Sequence, residues 1–192
     1  MQDIKVDCTQ NENLSNLKTF QIDNYVFKQI IENTTINNRI LEIAEQINVD
    51  YQNKSPLFLI ILTGGIFFGV ELLKHIKLKC KCSVISAKSY GNEMKSSGNV
   101  LIEMLDNNIE KEDIILLEDI VDSGLTMKKI MNELYKQNPK SLSVATLINK
   151  PCCNEFELNL DYVGFNLGKE FIVGCGLDYK GYGRNLDSIY SL

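Results

Sequence analysis

Six short hydrophobic runs set the terms for folding: "LFLIIL" (57–62), "CSVISA" (82–87), "IILLE" (114–118), "LSVATLI" (142–148), "DYVGF" (161–165) and "FIVGCGL" (171–177). None follows the strict apolar–polar alternation of a strand with one wet face. A strand that is apolar on both faces has to be covered on both, the condition of a mostly parallel sheet between layers of helix. The segments between the runs supply those helices. Apolar residues recur at Ile36, Ile40, Ile43, Ala44 and Ile47, the spacing of one helical face, with Thr34 or Thr35 able to cap its start. Two further helical patterns are Ile66 to Ile76 and the set Met127, Ile130, Met131 and Leu134. The expectation is an α/β fold on a mostly parallel, twisted sheet with helices on both faces.

At 192 residues and 44% hydrophobic, the chain can bury one substantial core, and a single domain over residues 34–192 is expected. Residues 1–33 are polar, Asn-rich and weakly patterned, which reads as a poorly ordered or loosely docked leader. With 25 acidic against 20 basic residues and a net charge of -5, the chain has no footprint for coating a phosphate backbone, so nucleic acid is not expected as its main partner. The first twenty residues lack the order of a secretory signal, so the chain is expected to start at or near Met1. The uncharged stretch "LFLIILTGGIFFGV" (57–70) is shorter than the roughly 20 residues a bilayer requires, and its "TGG" reads as a turn between a buried strand and a buried helix. Cysteines at 8, 80, 82, 152, 153 and 175 form no pair of C-x-x-C units and have only His75 as an imidazole partner, so reduced thiols in a cytoplasm are expected rather than a zinc site. Residues 88–99, "KSYGNEMKSSGN", read as a mobile surface loop of the kind that forms a lid.

The chemistry concentrates in "IILLEDIVDSGLTM" (114–127). Ligands of an open parallel sheet bind beyond the carboxyl ends of its strands, and the residues after "IILLE" fall there. In "DSGLTM" small residues let backbone NH groups converge, Ser123 and Thr126 add hydroxyls, and a helix from Thr126 to Tyr135 presents its N-terminus. That is a nest for a monoester phosphate, and it is not a Walker loop. Carboxylates beside a phosphate repel it unless they serve another group, and sugar hydroxyls are the obvious donors to Glu118 and Asp119. Acids that merely complement the helix dipole would account for one of the three.

"LLEDIVDSGLTM" closely resembles the phosphoribosyl pyrophosphate signature of type I phosphoribosyltransferases, a hydrophobic run, two acids, two apolar residues and then D-[ST]-G-x-T. From about Thr35 to the C-terminus the chain is similar to the hypoxanthine-guanine phosphoribosyltransferases, through "ILTGG", "KSYGN", "VATLINK", "DYVGF", "FIVGCGLDY" and "YGRNL", in the family's order and at its spacing. The resemblance implies the type I phosphoribosyltransferase fold, with a small hood formed by the terminal segments. It implies a cytoplasmic purine salvage enzyme of the pentosyltransferase class. The 5-phosphoribosyl group of phosphoribosyl pyrophosphate would pass to N9 of hypoxanthine or guanine, giving IMP or GMP and pyrophosphate with Mg²⁺ assisting. A homodimer or homotetramer is implied too, with no nucleic-acid or membrane partner.

The same resemblance suggests roles for individual residues. Asp122 matches the aspartate that faces purine N7 as general acid/base, a proton a carboxylate there can take or share. Asp122, Ser123, Gly124, Leu125 and Thr126 match the 5-phosphate loop. Glu118 and Asp119 match the ribose acids and, with Asp178, are the candidate ligands of Mg²⁺, an ion that keeps much of its water and takes few carboxylates. Lys150 matches the lysine at the purine C6 carbonyl; an ammonium only donates, so it would meet the amino group of adenine donor to donor. Phe171 matches the aromatic that stacks on the base, the main chain of Ile172 meets the purine edge, and Asp178 lies on the same side. Leu62, Thr63 and Gly64 correspond to the loop that contacts pyrophosphate through its backbone, often across a non-proline cis peptide, and Arg184 offers the diphosphate a planar fork. Ser89 and Tyr90 match the lid pair that keeps water from the cationic sugar centre. The chain departs from the family at Thr63 and Leu125, where relatives often carry lysine, and at Gly183, where a bulkier residue is common.

Two other functions use the same fold. A regulatory sensor of phosphoribosyl pyrophosphate that binds RNA or DNA would need a basic surface or an added module, and neither is visible. Transfer to orotate, uracil or adenine is opposed by Lys150 together with Phe171 and "GLDY".

Overall fold

The computed structural model describes residues 18–89, 100–104 and 108–192. In chain order the elements are β1 (Thr19–Ile22), β2 (Tyr25–Ile31), α1 (Asn33–Asp50), β3 (Leu57–Leu62), α2 (Gly65–Leu73), β4 (Lys81–Ser89), β5 (Val100–Met104), β6 (Asp113–Val121), α3 (Leu125–Tyr135), β7 (Ser141–Asn149), β8 (Tyr162–Asn166), β9 (Ile172–Val173) and β10 (Ile189–Ser191). Two sheets result, ordered β5-β4-β3-β6-β7-β8 and β1-β2-β10-β9.

In the larger sheet β4, β3, β6, β7 and β8 run parallel and only the edge strand β5 is antiparallel. Its strands are buried on both faces, as their continuous apolar character requires. Phe58, Ile60, Ile115 and Leu117 point toward α1 and α2, whose Ile36, Ile40, Ile43, Phe68 and Leu72 complete one core. Leu57, Leu59, Ile114 and Leu116 point the other way and meet Met127, Ile130 and Leu134 of α3. Chain order runs outward from β3 to β4 on one side and from β6 to β7 and β8 on the other, so the topological switch lies between β3 and β6. Crevices of doubly wound sheets open at that point.

The smaller sheet is antiparallel and joins the two ends of the described chain. β2 pairs with β1 and with β10, and β10 pairs with β9. This corrects the expected leader over residues 1–33. Residues 19–22 and 25–31 are strands, and Phe27 is fully buried against Val173, Ile22 and Tyr190. The pairing partner of β2 lies at the opposite end of the sequence, so no local pattern announces it. Residues 1–17 lie outside the described residues.

Three boundaries also move. The first helix starts at Asn33, not at a cap on Thr34 or Thr35. The Asn33 backbone NH donates to Ser188 Oγ at 3.1 Å, so the C-terminal segment satisfies it from across the fold, and Thr34 Oγ1 donates to Glu32 Oε1 at 2.7 Å. The run "FIVGCGL" keeps only two strand residues, both in the smaller sheet. The run at 114–118 extends to Val121, which puts Asp119 inside the strand with Glu118 instead of beyond it.

Candidate active site

Because β6 and β7 are parallel and Val121 pairs with Asn149, the next residues of both strands, Asp122 and Lys150, emerge side by side at the carboxyl edge of the sheet. Lys150 Nζ lies 3.5 Å from Asp122 Oδ2, and the Lys150 NH donates to Val121 O at 2.9 Å. The lysine is only 5% exposed. A buried ammonium is retained only with partners, and its partner here is a carboxylate whose side chain is largely open to solvent.

Glu118 and Asp119 are 8% and 7% exposed. The Asp119 NH donates to Glu118 Oε1 at 3.1 Å and the Ile120 NH to Asp119 Oδ1 at 3.0 Å. Burial, and then the hydrogen bond and charge of Asp119, hold the Glu118 carboxyl well above the usual range. Two adjacent buried acids are costly unless cations or hydroxyl donors arrive to meet them.

The turn that follows ends with Gly124 in the left-handed region, at φ 79°, immediately before α3. The Leu125 NH reaches Ser123 Oγ at 3.4 Å, and Ser123 O accepts from the Glu155 NH at 2.9 Å. Residues Glu118 to Gly124, with Thr126 and Met127, line a cleft of about 270 Å³. A larger and more apolar groove, about 450 Å³, runs between α1, α2 and residues 185–187, but it holds none of the sequence-predicted site residues.

Across the switch point, the Leu62–Thr63 peptide is cis. A Cβ on Gly64 would overlap the Asp119 carboxylate as it stands, and a Cβ on Gly176 would overlap the Gly64 backbone. The loop after β3 thus touches both Asp119 on β6 and the loop after β9. In the last of these, Arg184 pairs with Asp178 Oδ1 and donates to Gly176 O, while Asp178 Oδ2 accepts from the Gly181 NH at 2.6 Å.

Phe171 is 46% exposed, although an aromatic opening an apolar run ordinarily packs inward. Its edges are held by Phe27, centroids 6.3 Å apart, and by Tyr179, 5.8 Å apart and perpendicular, while Ile172 beside it is buried. Phe27 and Tyr179 were not singled out in the sequence. The aromatic spacing that joins them is a tertiary contact without a local signature. Ser89 ends β4 opposite Val100, and Tyr90 lies outside the described residues.

The acids could hold Mg²⁺ only together with a ligand. Among the described residues no three His, Cys, Asp or Glu side chains converge on one point. Two adjacent carboxylates plus the oxygens of a diphosphate and water suit an ion that is seldom caged by protein alone. Also among the described residues, no helix is long and apolar enough to cross a membrane.

The Phosphoribosyl transferase domain model matches residues 27–180. The chain is 40% identical over 158 residues to the hypoxanthine phosphoribosyltransferase of Buchnera aphidicola, covering 81% of this chain and 89% of that one. It is 36% identical over 163 residues to the hypoxanthine-guanine phosphoribosyltransferase of Bacillus subtilis, with coverage of 84% and 91%. The crystal structure of a hypoxanthine phosphoribosyltransferase from Staphylococcus aureus superposes with a TM-score of 0.81 at 32% identity, over 85% of this chain and 90% of that one.

Proposed function

The chain belongs to the phosphoribosyltransferase family, and on that premise we propose that it is a purine salvage enzyme. It moves the 5-phosphoribosyl group of phosphoribosyl pyrophosphate to N9 of hypoxanthine or guanine and releases pyrophosphate. The observation that supports this reading best is the 3.5 Å approach of Lys150 Nζ to Asp122 Oδ2, beside the turn that opens α3. A donor for the C6 carbonyl and an acceptor for the N7 proton stand at the spacing of one purine edge, next to a phosphate-binding turn.

The 5-phosphate sits on the backbone and hydroxyls of Asp122 to Thr126, at the N-terminus of α3. Glu118 and Asp119 accept from the ribose hydroxyls. The diphosphate lies against the backbone of Leu62, Thr63 and Gly64 and on Arg184, which leaves Asp178 to do so. The purine stacks on the open face of Phe171, with its edge along the main chain of Ile172. As the C1–oxygen bond to diphosphate breaks and N9 attacks, C1 gains positive charge and the base loses a proton. Asp122 takes or shares that proton at N7, and Lys150 supports the charge that builds on the C6 oxygen. Glu118, Asp119 and Asp178 are the residues that would hold Mg²⁺, whose bound charge offsets that of the leaving diphosphate. Ser89 and Tyr90 close over the site and exclude water. The proposal includes a cytoplasmic homodimer or homotetramer; the five cysteines among the described residues are unpaired, as a reducing compartment requires.

The test is a panel of bases with phosphoribosyl pyrophosphate and Mg²⁺, read by product mass. Nucleoside monophosphate is expected with hypoxanthine or guanine and not with adenine, orotate or uracil. Absence of product with every 6-oxopurine refutes the reading.

A further inference from the structure

We propose that Lys128, held by Phe156, supplies the positive charge for the 5-phosphate; this rests on the phosphoribosyl-transfer reading above. The cleft at the start of α3 is lined by three carboxylates, Glu118, Asp119 and Asp122, and by no lysine or arginine. A phosphate monoester is close to a dianion at neutral pH. Converging NH groups and two hydroxyls solvate it but do not neutralise it, and Lys150 is engaged with Asp122. Leu125, inside the loop, carries no charge.

The first basic residue along α3 is Lys128, about one helical turn beyond Gly124, with its NH donating to Gly124 O at 2.9 Å. Side chains of a helix lean toward its N-terminus, which directs the stem of Lys128 back toward the turn before α3. There its ammonium stands 4.0 Å from the centroid of the Phe156 ring. Phe156 belongs to a segment laid on that turn. The NH of Glu155 donates to Ser123 O at 2.9 Å, and Leu158 packs so closely on Gly124 that a Cβ there would come within 2.8 Å of its Cδ1. One loop therefore fixes both the nest and the aromatic platform that parks the ammonium beside it. No carboxylate among the described residues pairs with Lys128, although Glu155 and Glu157 flank Phe156 in sequence. Phe156 is half-buried while Lys128 itself is open to solvent, and a solvated cation on a ring is held weakly enough to turn toward a phosphate when one arrives.

The experiment measures the Kd of ribose 5-phosphate and of phosphoribosyl pyrophosphate by calorimetry, with no base present, and kcat with both substrates saturating. Lys128→Met is expected to weaken both Kd values about tenfold with kcat within about threefold of wild type, and Lys128→Arg to restore binding. Phe156→Leu is expected to fall between them, and the gap between wild type and Lys128→Met to narrow at high salt. Lys128→Met binding ribose 5-phosphate as tightly as wild type overturns the assignment, as does a loss that Lys128→Arg fails to restore. Both outcomes are separable from failure of the enzymatic reading. If wild type makes no nucleotide from any base yet Lys128→Met weakens ribose 5-phosphate binding, the reaction is wrong and the phosphate site stands.

Discussion

The parallel sheet and the antiparallel hood divide the candidate site between them, and they are built in opposite ways. The sheet side is local: Glu118 to Thr126 lie consecutively on one strand, one turn and the first residues of α3. The hood side is assembled from the ends of the chain, with Phe171 wedged between Phe27 and Tyr179 on a sheet whose strands come from residues 19–31 and 172–191. Local construction gives a compact cradle, the one proposed above for the sugar phosphate. Distant construction makes the base side depend on contacts more than a hundred residues apart, and the two halves meet where Gly64 touches Asp119 and Gly176.

The largest expected effect breaks the hood alone. Phe27→Ala removes the largest fully buried side chain of the small sheet and should cost about 3–5 kcal/mol. Hydrogen exchange should show β2, β9 and β10 losing protection while β6 keeps it; equal loss in both sheets would mean that the hood is no separate unit. Next, Asp122→Asn on the sheet side should lower turnover by about 10² or more and leave phosphoribosyl pyrophosphate affinity within several-fold. Unchanged turnover would reduce Asp122 to a helix cap. Lys150→Ala should raise the KM for hypoxanthine by roughly 10–100-fold, about 1–3 kcal/mol, because the C6 oxygen loses its donor.

The smallest effect lies at the far end of β6, where Asp113 accepts from Lys140 Nζ and Ser141 Oγ, both at 2.7 Å. Burial by itself would raise this carboxyl, but the hydrogen bonds and the Lys140 charge outweigh it and hold it below the usual range. A carboxyl depressed in the folded state stabilises above the ordinary Asp value, about 3.9, and that contribution is lost as pH falls through the folded value. Asp113→Asn should therefore be about 1 kcal/mol less stable than wild type to urea at pH 7, with the gap closing toward pH 2. A gap that persists unchanged in acid would show that charge is not what Asp113 contributes.

How far the sequence could be read follows the same division. The apolar runs name the strands of the parallel sheet, and Ile36, Ile40, Ile43, Ala44 and Ile47 are the buried face of α1, because burial on a regular element leaves its period in the residues. "LEDIVDSGLTM" carries its chemistry in consecutive positions, so the acids, the turn and the helix start are legible together. The hood is not, because β2 finds its partner in β10 and the start of α1 takes its cap from Ser188. A Thr at a helix start is a sound local signal for a cap, and here a distant serine outcompetes it. Phe171 shows the reverse case: an aromatic opening an apolar run reads as core, and its ring is instead half-exposed.

The division of labour is tested most directly by two constants on two variants. Thr126→Ala alters the cradle and Phe171→Ala the hood side, where the ring packs on Phe27 and Tyr179; the Kd of phosphoribosyl pyrophosphate is measured without base, and the KM of hypoxanthine at saturating phosphoribosyl pyrophosphate. Thr126→Ala is predicted to weaken phosphoribosyl pyrophosphate about fivefold and leave the hypoxanthine KM within about twofold, with Phe171→Ala giving the converse. Both constants moving together in both variants would contradict a site divided between sheet and hood.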